Sequence, residues 1–568
     1  MNPALKEQVT DTTPESGESQ TYADRNATDI ADARETSLVV WGLVAGIILV
    51  GLLFRAQLLD AFYLDFDESM HFQAAREATL QDTWIASRIH THPPLVFLFY
   101  HLWLNLGDSE IMLRLPALIF SISALVFAFL WLREVTGVRP AVVGLVFLTF
   151  SMPMVHLGAQ MRGYTILLTF MFAALFFHER FLQRHSLAAL ITSAVCLGLA
   201  MLTHYTTAWL MLALGVLTLL RVISGTLPRK LVIAWAMVQV VLLGECAALY
   251  FGHVRAFVNS ETQDAMWDFW LRDSQYTLQN TNPLMIPLLR LLEFIKFTSG
   301  AFGLLIAILI VPGVIRLGKV AYQRTGSSWI AVERALLIVL PMIVAMLLFQ
   351  FRIYPLGHTR HSMWLIPFVA LGISAASLFL FTRHSLWRNS VLAGVMLLWV
   401  MSYAAPMVWK YETTQTPEMM ERFVSLIKQT VPEGEVILTD DSTRNVLEYY
   451  LVGREVIHGK PLGGGYIEYK MGNYRVVTIP RFHFFMYQFR KDWKNYLAAL
   501  KESAREPLWV VYLGYERAEA KPEHLFPLFP AGQLTKQAHY LDNQIMRIQF
   551  LSPEIKAAKA AVPKQNIN

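Results

Sequence analysis

Three carboxylates, Asp65, Asp67 and Glu68, stand within four positions of one another in the segment YLDFDESMHF (63–72), just after a long apolar run. Ionisable side chains beside or within a bilayer are costly and are kept mainly for chemistry or transport. A carboxylate at such a place can take a proton from an acceptor hydroxyl as a general base. Asp67 is the expected base, and Glu68 beside it the expected helper. The matching cations sit in two short loops between apolar runs: GAQMRGY (158–164) carries Arg162, and RIYPLGHTRHS (352–362) carries Arg352 and Arg360. A planar guanidinium fork suits a lipid phosphate, and fixed cations stabilise the charge that develops on a departing phosphate. Arg162, Arg360 and Arg88 are the expected phosphate ligands. Snorkelling of a long side chain to the interface is the plainer account of any one of them.

Histidines give a competing chemistry. His71, His90, His92 and His101 share the segment 55–111 with the carboxylates, and His358 and His361 flank Arg360. Histidine with carboxylates is a ligand set for a divalent metal. The HTH spacing at 90–92 matches no structural zinc pattern, however, and imidazoles at an interface commonly serve as hydrogen-bonding groups. No cofactor is therefore required, with a divalent metal kept as the alternative.

The elements that must position these groups are hydrophobic helices. The 568 residues are 55% hydrophobic and 16% charged, with a mean hydropathy of +0.40. A soluble chain carries about 25% charged residues, so the composition indicates a polytopic α-helical membrane protein. Apolar runs recur near 37–54, 112–132, 140–157, 164–180, 187–204, 207–222, 231–251, 299–316, 334–351, 362–382 and 390–408. These give about eleven spans of near-membrane length.

Arg133 and Arg139, Arg180 and Arg184, Arg221 with Arg229 and Lys230, Arg316 to Arg334, and Arg383 with Arg388 fall in alternate loops. The positive-inside rule makes those loops cytoplasmic, together with the N-terminus. The segment 55–111, the segment 252–298 and the C-terminal region then share the opposite compartment. The net charge of +5 resides mainly in these loops, which argues against nucleic-acid binding. Cys196 and Cys246 both lie inside apolar runs, so a disulfide framework is excluded. Residues 1–36 are polar with no apolar core, as expected of a disordered tail and not of a cleavable signal. In 252–298, Trp267 and Trp270 alternate with Glu261, Asp264, Asp268 and Asp273; membrane anchoring is favoured over sugar stacking.

Past residue 408 the pattern changes. A strand at 435–439, a helix near 442–452 capped by Asp441 or Ser442, a second strand, a strand near 474–479, a helix near 486–504 and the strand PLWVVYLGY (507–515) suggest a small α/β domain over 409–555. Asp440 and Asp441 follow a strand, a common ligand position in such sheets, although helix capping explains them equally. PLGGGY (461–466) lacks a phosphate-loop context. Residues 556–568 are expected to be flexible.

Five stretches in the same order resemble the membrane-embedded GT-C glycosyltransferases, in particular glycosyltransferase family 39 and its protein O-mannosyltransferase-like members. The lipid A aminoarabinose transferase is a more distant relative. They are FDESMHF with Asp67–Glu68, HPPL (92–95), GDSEIMLRLPAL (107–118) with Arg114, AQMRGYTILL (159–168) with Arg162 and Tyr164, and GHTRHSMWLIP (357–367) with Arg360. Over 37–408 the resemblance implies a GT-C transferase using a polyprenyl-phosphate-linked sugar, with inversion at the anomeric carbon. It implies Asp67 as base with Glu68 as helper, Arg162 and Arg360 as phosphate ligands, and His92 near a substrate. Tyr164 and His358 are the further substrate-binding candidates. The large β-trefoil-type lumenal domain of the eukaryotic protein mannosyltransferases is missing, which leaves the acceptor open among lipid, glycan and protein and favours a bacterial inner membrane. A lipid-carrier flippase or transporter would show internal repeats and a midplane site. An O-antigen ligase-type transferase would place its key residues in a large loop of the second half. Both stand as alternatives.

Overall fold

The structure, a computed structural model, describes residues 38–88, 90, 92–258, 271, 282–378, 394, 397–402, 416–463, 466–478, 508–513, 532–540 and 543–550. The expected tail 1–36, the Trp267–Trp270 segment, the helix near 486–504, most of the expected span 390–408 and the stretch 556–568 lie outside the described residues.

Long apolar runs become long helices. Helix α1, Leu38–Ala56, contains the boundary between two units, which divide at Val50 and Gly51. The second unit opens with α2 (Phe66–Ala75), α3 (Leu80–Ser87) and α4 (Leu95–Trp103), so the segment expected as an outward loop is itself largely helical. Then come α5 (Glu110–Thr136), α6 (Val138–Phe150), α7 (Met152–Leu157), α8 (Tyr164–Arg184), α9 (Leu187–Met201), α10 (Thr207–Ile223) and α11 (Arg229–Leu249). Helices α12 (Met285–Ser299), α13 (Gly303–Thr325), α14 (Ser328–Gln350) and α15 (Ile366–Ser377) complete the set.

Among the described residues six helical stretches are long and apolar enough to cross a membrane: Leu38–Ala56, Glu110–Thr136, Tyr164–Arg184, Arg229–Val254, Met285–Thr325 and Ser328–Gln350. Helices α6, α9 and α10 are apolar but shorter. The chain is therefore an integral membrane protein. All nine correspond to expected spans; the other two run into residues that are not described. Small residues let the helices approach closely, as is usual where lipid offers no hydrophobic drive. A Cβ on Gly313 of α13 would come 2.6 Å from the carbonyl oxygen of Gly372 in α15.

Ion pairs, two of them buried, tie one end of this bundle together. Arg334 forms a two-pronged pair with Glu179, Arg221 Nη2 lies 2.9 Å from Glu333 Oε2, and Arg184 reaches Glu134 at 3.1 Å. These are arginines of the set assigned to one side by the loop-charge pattern, and Arg162 sits at the other end of α8. An α-helix rises about 1.5 Å per residue, so the 21 residues of α8 separate the two sets by roughly 30 Å.

Residues 417–550 hold α16 (Pro417–Thr430), β1 (Val436–Thr439), α17 (Asp441–Val452), β2 (Lys460–Gly463), β3 (Tyr466–Met471), β4 (Tyr474–Thr478), β5 (Leu508–Leu513), β6 (Gly532–Tyr540) and β7 (Asn543–Phe550). They build one seven-stranded sheet in the order β2-β3-β4-β1-β5-β7-β6. β4, β1 and β5 run parallel at its centre, and antiparallel hairpins flank them. Met420, Phe423 and Ile427 of α16 and Leu447 of α17 are buried against Ile437, Val476 and Val511. Each such side chain contributes about 1.5–3 kcal/mol on burial.

Three details correct the sequence reading. The cap of α17 is Asp440, whose carboxylate accepts from Thr443 N at 2.8 Å. The strand after α17 begins at Lys460, beyond a turn at Gly453 with φ 67°. The strands β3, β6 and β7 were not foreseen.

Candidate active site

Helix α2 presents the carboxylates, and its own sequence explains how. Asp65 is the N-cap: its carboxylate accepts from Glu68 N at 2.7 Å, while Glu68 Oε2 accepts from Asp65 N at 3.2 Å. This reciprocal capping box satisfies two of the orphan donors of a helix start. It also fixes Asp67 in the first turn.

Glu68 points inward and is 1% exposed. Arg114 Nε and Nη2 donate to it at 2.9 and 2.8 Å, and Met161 N donates at 2.7 Å. The remaining donors of Arg114 go to the carbonyls of Leu59, Phe62 and Tyr63 at 2.9, 2.7 and 3.0 Å. All five N–H groups of a guanidinium are thus used, and one buried residue of α5 pins both the α2 carboxylate and the chain leading into α2. Burial opposes ionisation of Glu68, but Arg114 and the hydrogen bonds hold its carboxyl below the usual range.

Asp67 points the other way, with its side chain 32% exposed. Two arginines from distant segments converge on its Oδ2: Arg162 Nη2, and Arg360 Nη2 at 2.5 Å. Arg162 is buried and also lies 3.5 Å from Asp65 Oδ1. Burial acts against the Asp67 anion, yet Arg162 and Arg360 outweigh it and hold the carboxyl well below the ordinary carboxylate range. Asp65 moves oppositely, raised by burial despite Arg162.

Imidazoles and a phenol wall the site. His71 Nδ1 bonds the Asp67 carbonyl at 2.7 Å; since a carbonyl only accepts, Nδ1 carries the proton and Nε2 offers a lone pair. His92 lies 5.4 Å from His71, 5.1 Å from His204 and 6.0 Å from Tyr164, ring centre to ring centre. Thr206 N donates to His204 Nδ1 at 3.3 Å, which leaves Nε2–H as the donor. His71 Nε2, His92 Nδ1 and His204 Nε2 are buried without a hydrogen-bond partner among the described residues. Burial pushes His71 and His204 down to about 4. His361, 3.4 Å from the Tyr164 hydroxyl, falls to about 3 through burial and the Arg360 charge.

The structure thus brings together Asp67, Glu68, Arg162, Arg360, His92 and Tyr164. Arg88 lies elsewhere: it ends α3, next to Ser87, which bonds His253 at 3.1 Å, and it makes no ion pair with Asp67. His358 lies with Phe297, Lys296, Met152, Pro153 and Leu157 around a cavity of about 1020 Å³. His204 and the clamping role of Arg114 were missed. The polar HYTT stretch (204–207), in a short turn between two apolar runs, was the available signal for the first. Among the described residues no group of three or more His, Cys, Asp or Glu is placed to hold a metal ion.

Comparisons with known proteins agree with this architecture. Residues 91–252 match the family described as dolichyl-phosphate-mannose-protein mannosyltransferase. The structure is similar to that of ArnT from Cupriavidus metallidurans bound to undecaprenyl phosphate, with a TM-score of 0.52 and 16% identity over 89% of this chain and 98% of that one. The apo structure of the same protein gives a TM-score of 0.50 and 16% identity over 90% and 98%. A search of curated proteins gives no match. The chain is a helical membrane protein with the GT-C fold, distantly similar to ArnT.

Proposed function

We propose that this protein transfers a sugar from a polyprenyl-phosphate-linked donor to an acceptor hydroxyl on the extracytoplasmic face of a bacterial inner membrane. The observation that carries the reading is the convergence of Arg162 and Arg360 on Asp67. Two cations beside an accessible carboxylate are what a phosphate leaving group and a proton acceptor require in one place. The cavity of about 1020 Å³ beside Lys296 and His358 supports a lipid carrier, as does the undecaprenyl phosphate bound to ArnT.

In this mechanism the donor phosphate draws Arg162 and Arg360 away from Asp67. The carboxylate, freed from two positive neighbours, becomes more basic and takes the acceptor hydroxyl proton. The acceptor oxygen attacks the anomeric carbon, the carbon–oxygen bond to phosphate breaks with inversion, and polyprenyl phosphate leaves on the arginines. Glu68 acts through Arg114 by holding α2 in place. These steps use the chain's own residues alone, and a divalent metal stands as the alternative. His92, Tyr164 and the neutral His71 and His204 line the sugar. Eleven spans, with the N-terminus cytoplasmic and the sheet outside, complete the topology; lipid, glycan and protein acceptors all suit it.

The test uses purified protein in liposomes with radiolabelled polyprenyl-phosphate sugars and candidate acceptors. Transfer of label from lipid to acceptor is the expected result. Movement of intact labelled lipid across the bilayer without transfer would instead establish a flippase.

A further inference from the structure

We infer that a second cavity, between α2 and the carboxyl edge of the sheet, is the acceptor subsite and takes a hydroxyl-rich carbohydrate. The inference rests on the transferase reading and gives the C-terminal region a part in it. The cavity has a volume of about 280 Å³, at the small end of the usual range for ligand pockets, roughly 300–1,000 Å³.

Its position follows from the topology. β1 lies between the parallel strands β4 and β5, so the chain leaves it toward one side and returns on the other. Open α/β sheets bind ligands outside the carboxyl ends of strands at such a switch point. Asp441, just after β1, and Thr478, at the end of β4, both line the cavity. The opposite wall is the helix that carries Asp67. Met70 and Ala74 line the cavity, as does Glu77 just past the helix end, and with Asp67 the first two follow the three- and four-residue steps of a single helix face. That stripe leads from the base to the cavity. The segments are joined firmly: Gln73 Nε2 donates to the Asn445 carbonyl at 3.0 Å, Arg76 pairs with Glu448, and Tyr449 donates to the Asp108 carbonyl at 2.8 Å.

The chemistry of the wall favours a neutral ligand. Arg444 is taken up by Glu448 at 2.5 Å and Asp441 at 3.0 Å, and Arg76 by the same Glu448. Both guanidinium charges are thus paired with carboxylates, which weakens their pull on an anion. The rest of the polar lining, Glu77, Thr478, His90 and His458, is a mixture of carboxylate, hydroxyl and imidazole groups, which matches the alternating donors and acceptors of a sugar.

The experiment uses the full chain in detergent, with methyl α-mannopyranoside and a methyl amino-hexopyranoside as probes followed by saturation-transfer NMR. Undecaprenyl phosphate binding is titrated in parallel. Ala86→Phe fills the cavity from α3 without removing a hydrogen bond, and Glu77→Gln removes one charge. Glycoside binding to the wild type is expected to weaken about tenfold, near 1.4 kcal/mol, in Ala86→Phe and measurably in Glu77→Gln, with lipid-phosphate affinity unchanged. Glycosides that bind both variants as tightly as the wild type, or that bind none of the three, overturn the subsite. Glycoside binding lost in Ala86→Phe, in a protein that has no affinity for undecaprenyl phosphate, supports the carbohydrate cavity but sinks the transferase reading.

Discussion

Replacing Arg114 with methionine tests how the catalytic helix is held. The substitution keeps much of the side-chain length but removes all five donors at once. Glu68 would be left as a buried carboxylate with only the Met161 and Asp65 amides, and three carbonyls of the segment leading into α2 would lose their partner. Breaking a buried ion pair by removing one member costs about 3–5 kcal/mol. With an unfolding entropy of about 2.1 cal/mol/K per residue over 568 residues, that loss lowers the melting temperature by about 3–4 °C. Activity should fall further than stability, because a displacement of about 1 Å in a reacting group can cost a hundredfold in rate. Thermal unfolding followed by tryptophan fluorescence, with turnover measured below the transition, reads both effects. Glu68→Gln and the double variant complete the cycle, with a coupling energy of about 2 kcal/mol expected. An Arg114→Met protein that melts with the wild type, or a strictly additive cycle, would refute the clamp.

Arg360→Ala removes one charge-assisted bond of about 1.5–3 kcal/mol, so affinity for undecaprenyl phosphate should drop about 10- to 100-fold, with partial rescue by lysine; an unchanged titration counts against a phosphate role. His71 and His361, held near 4 and 3 in the fold, stay neutral while the unfolded chain protonates them below about pH 6.5. Stability therefore rises with pH through this window, and at pH 5 each histidine costs about 2 kcal/mol relative to pH 7.5; a melting temperature that does not change between those pH values would contradict the burial of both rings. Glu179→Gln, at the far end of α8, should lower the melting temperature by about 3 °C yet leave turnover per folded molecule intact, and a selective loss of activity would tie that end to catalysis.

Much of this architecture is legible in the sequence because membrane helices are written in long apolar runs, and nine of the expected spans appear as helices. The arginines at 162 and 360 stood out because they oppose the loop-charge pattern, and both meet Asp67. The DFDE spacing also contained a structural message. An acidic residue followed three positions later by glutamate is the signature of a helix start, and it assigns Asp65 and Glu68 to capping as well as to charge. What the sequence hides is partnership at long range. Nothing local to Arg114 says that it will reach back 46 residues to Glu68, and Tyr450 meets Leu64 across 386 residues. Short helices such as α2 to α4 were read as loop because their apolar stretches fall below membrane length.

The most direct measurement is turnover of a radiolabelled polyprenyl-phosphate sugar by wild type and Asp67→Asn, with undecaprenyl phosphate affinity determined on the same samples. General base catalysis is worth about 10²- to 10⁴-fold, so the variant should lose turnover by at least a hundredfold. It should also bind lipid phosphate no more weakly than the wild type, since both arginines are released from the carboxylate. Equal turnover in the two proteins would contradict the assignment of Asp67 as the base.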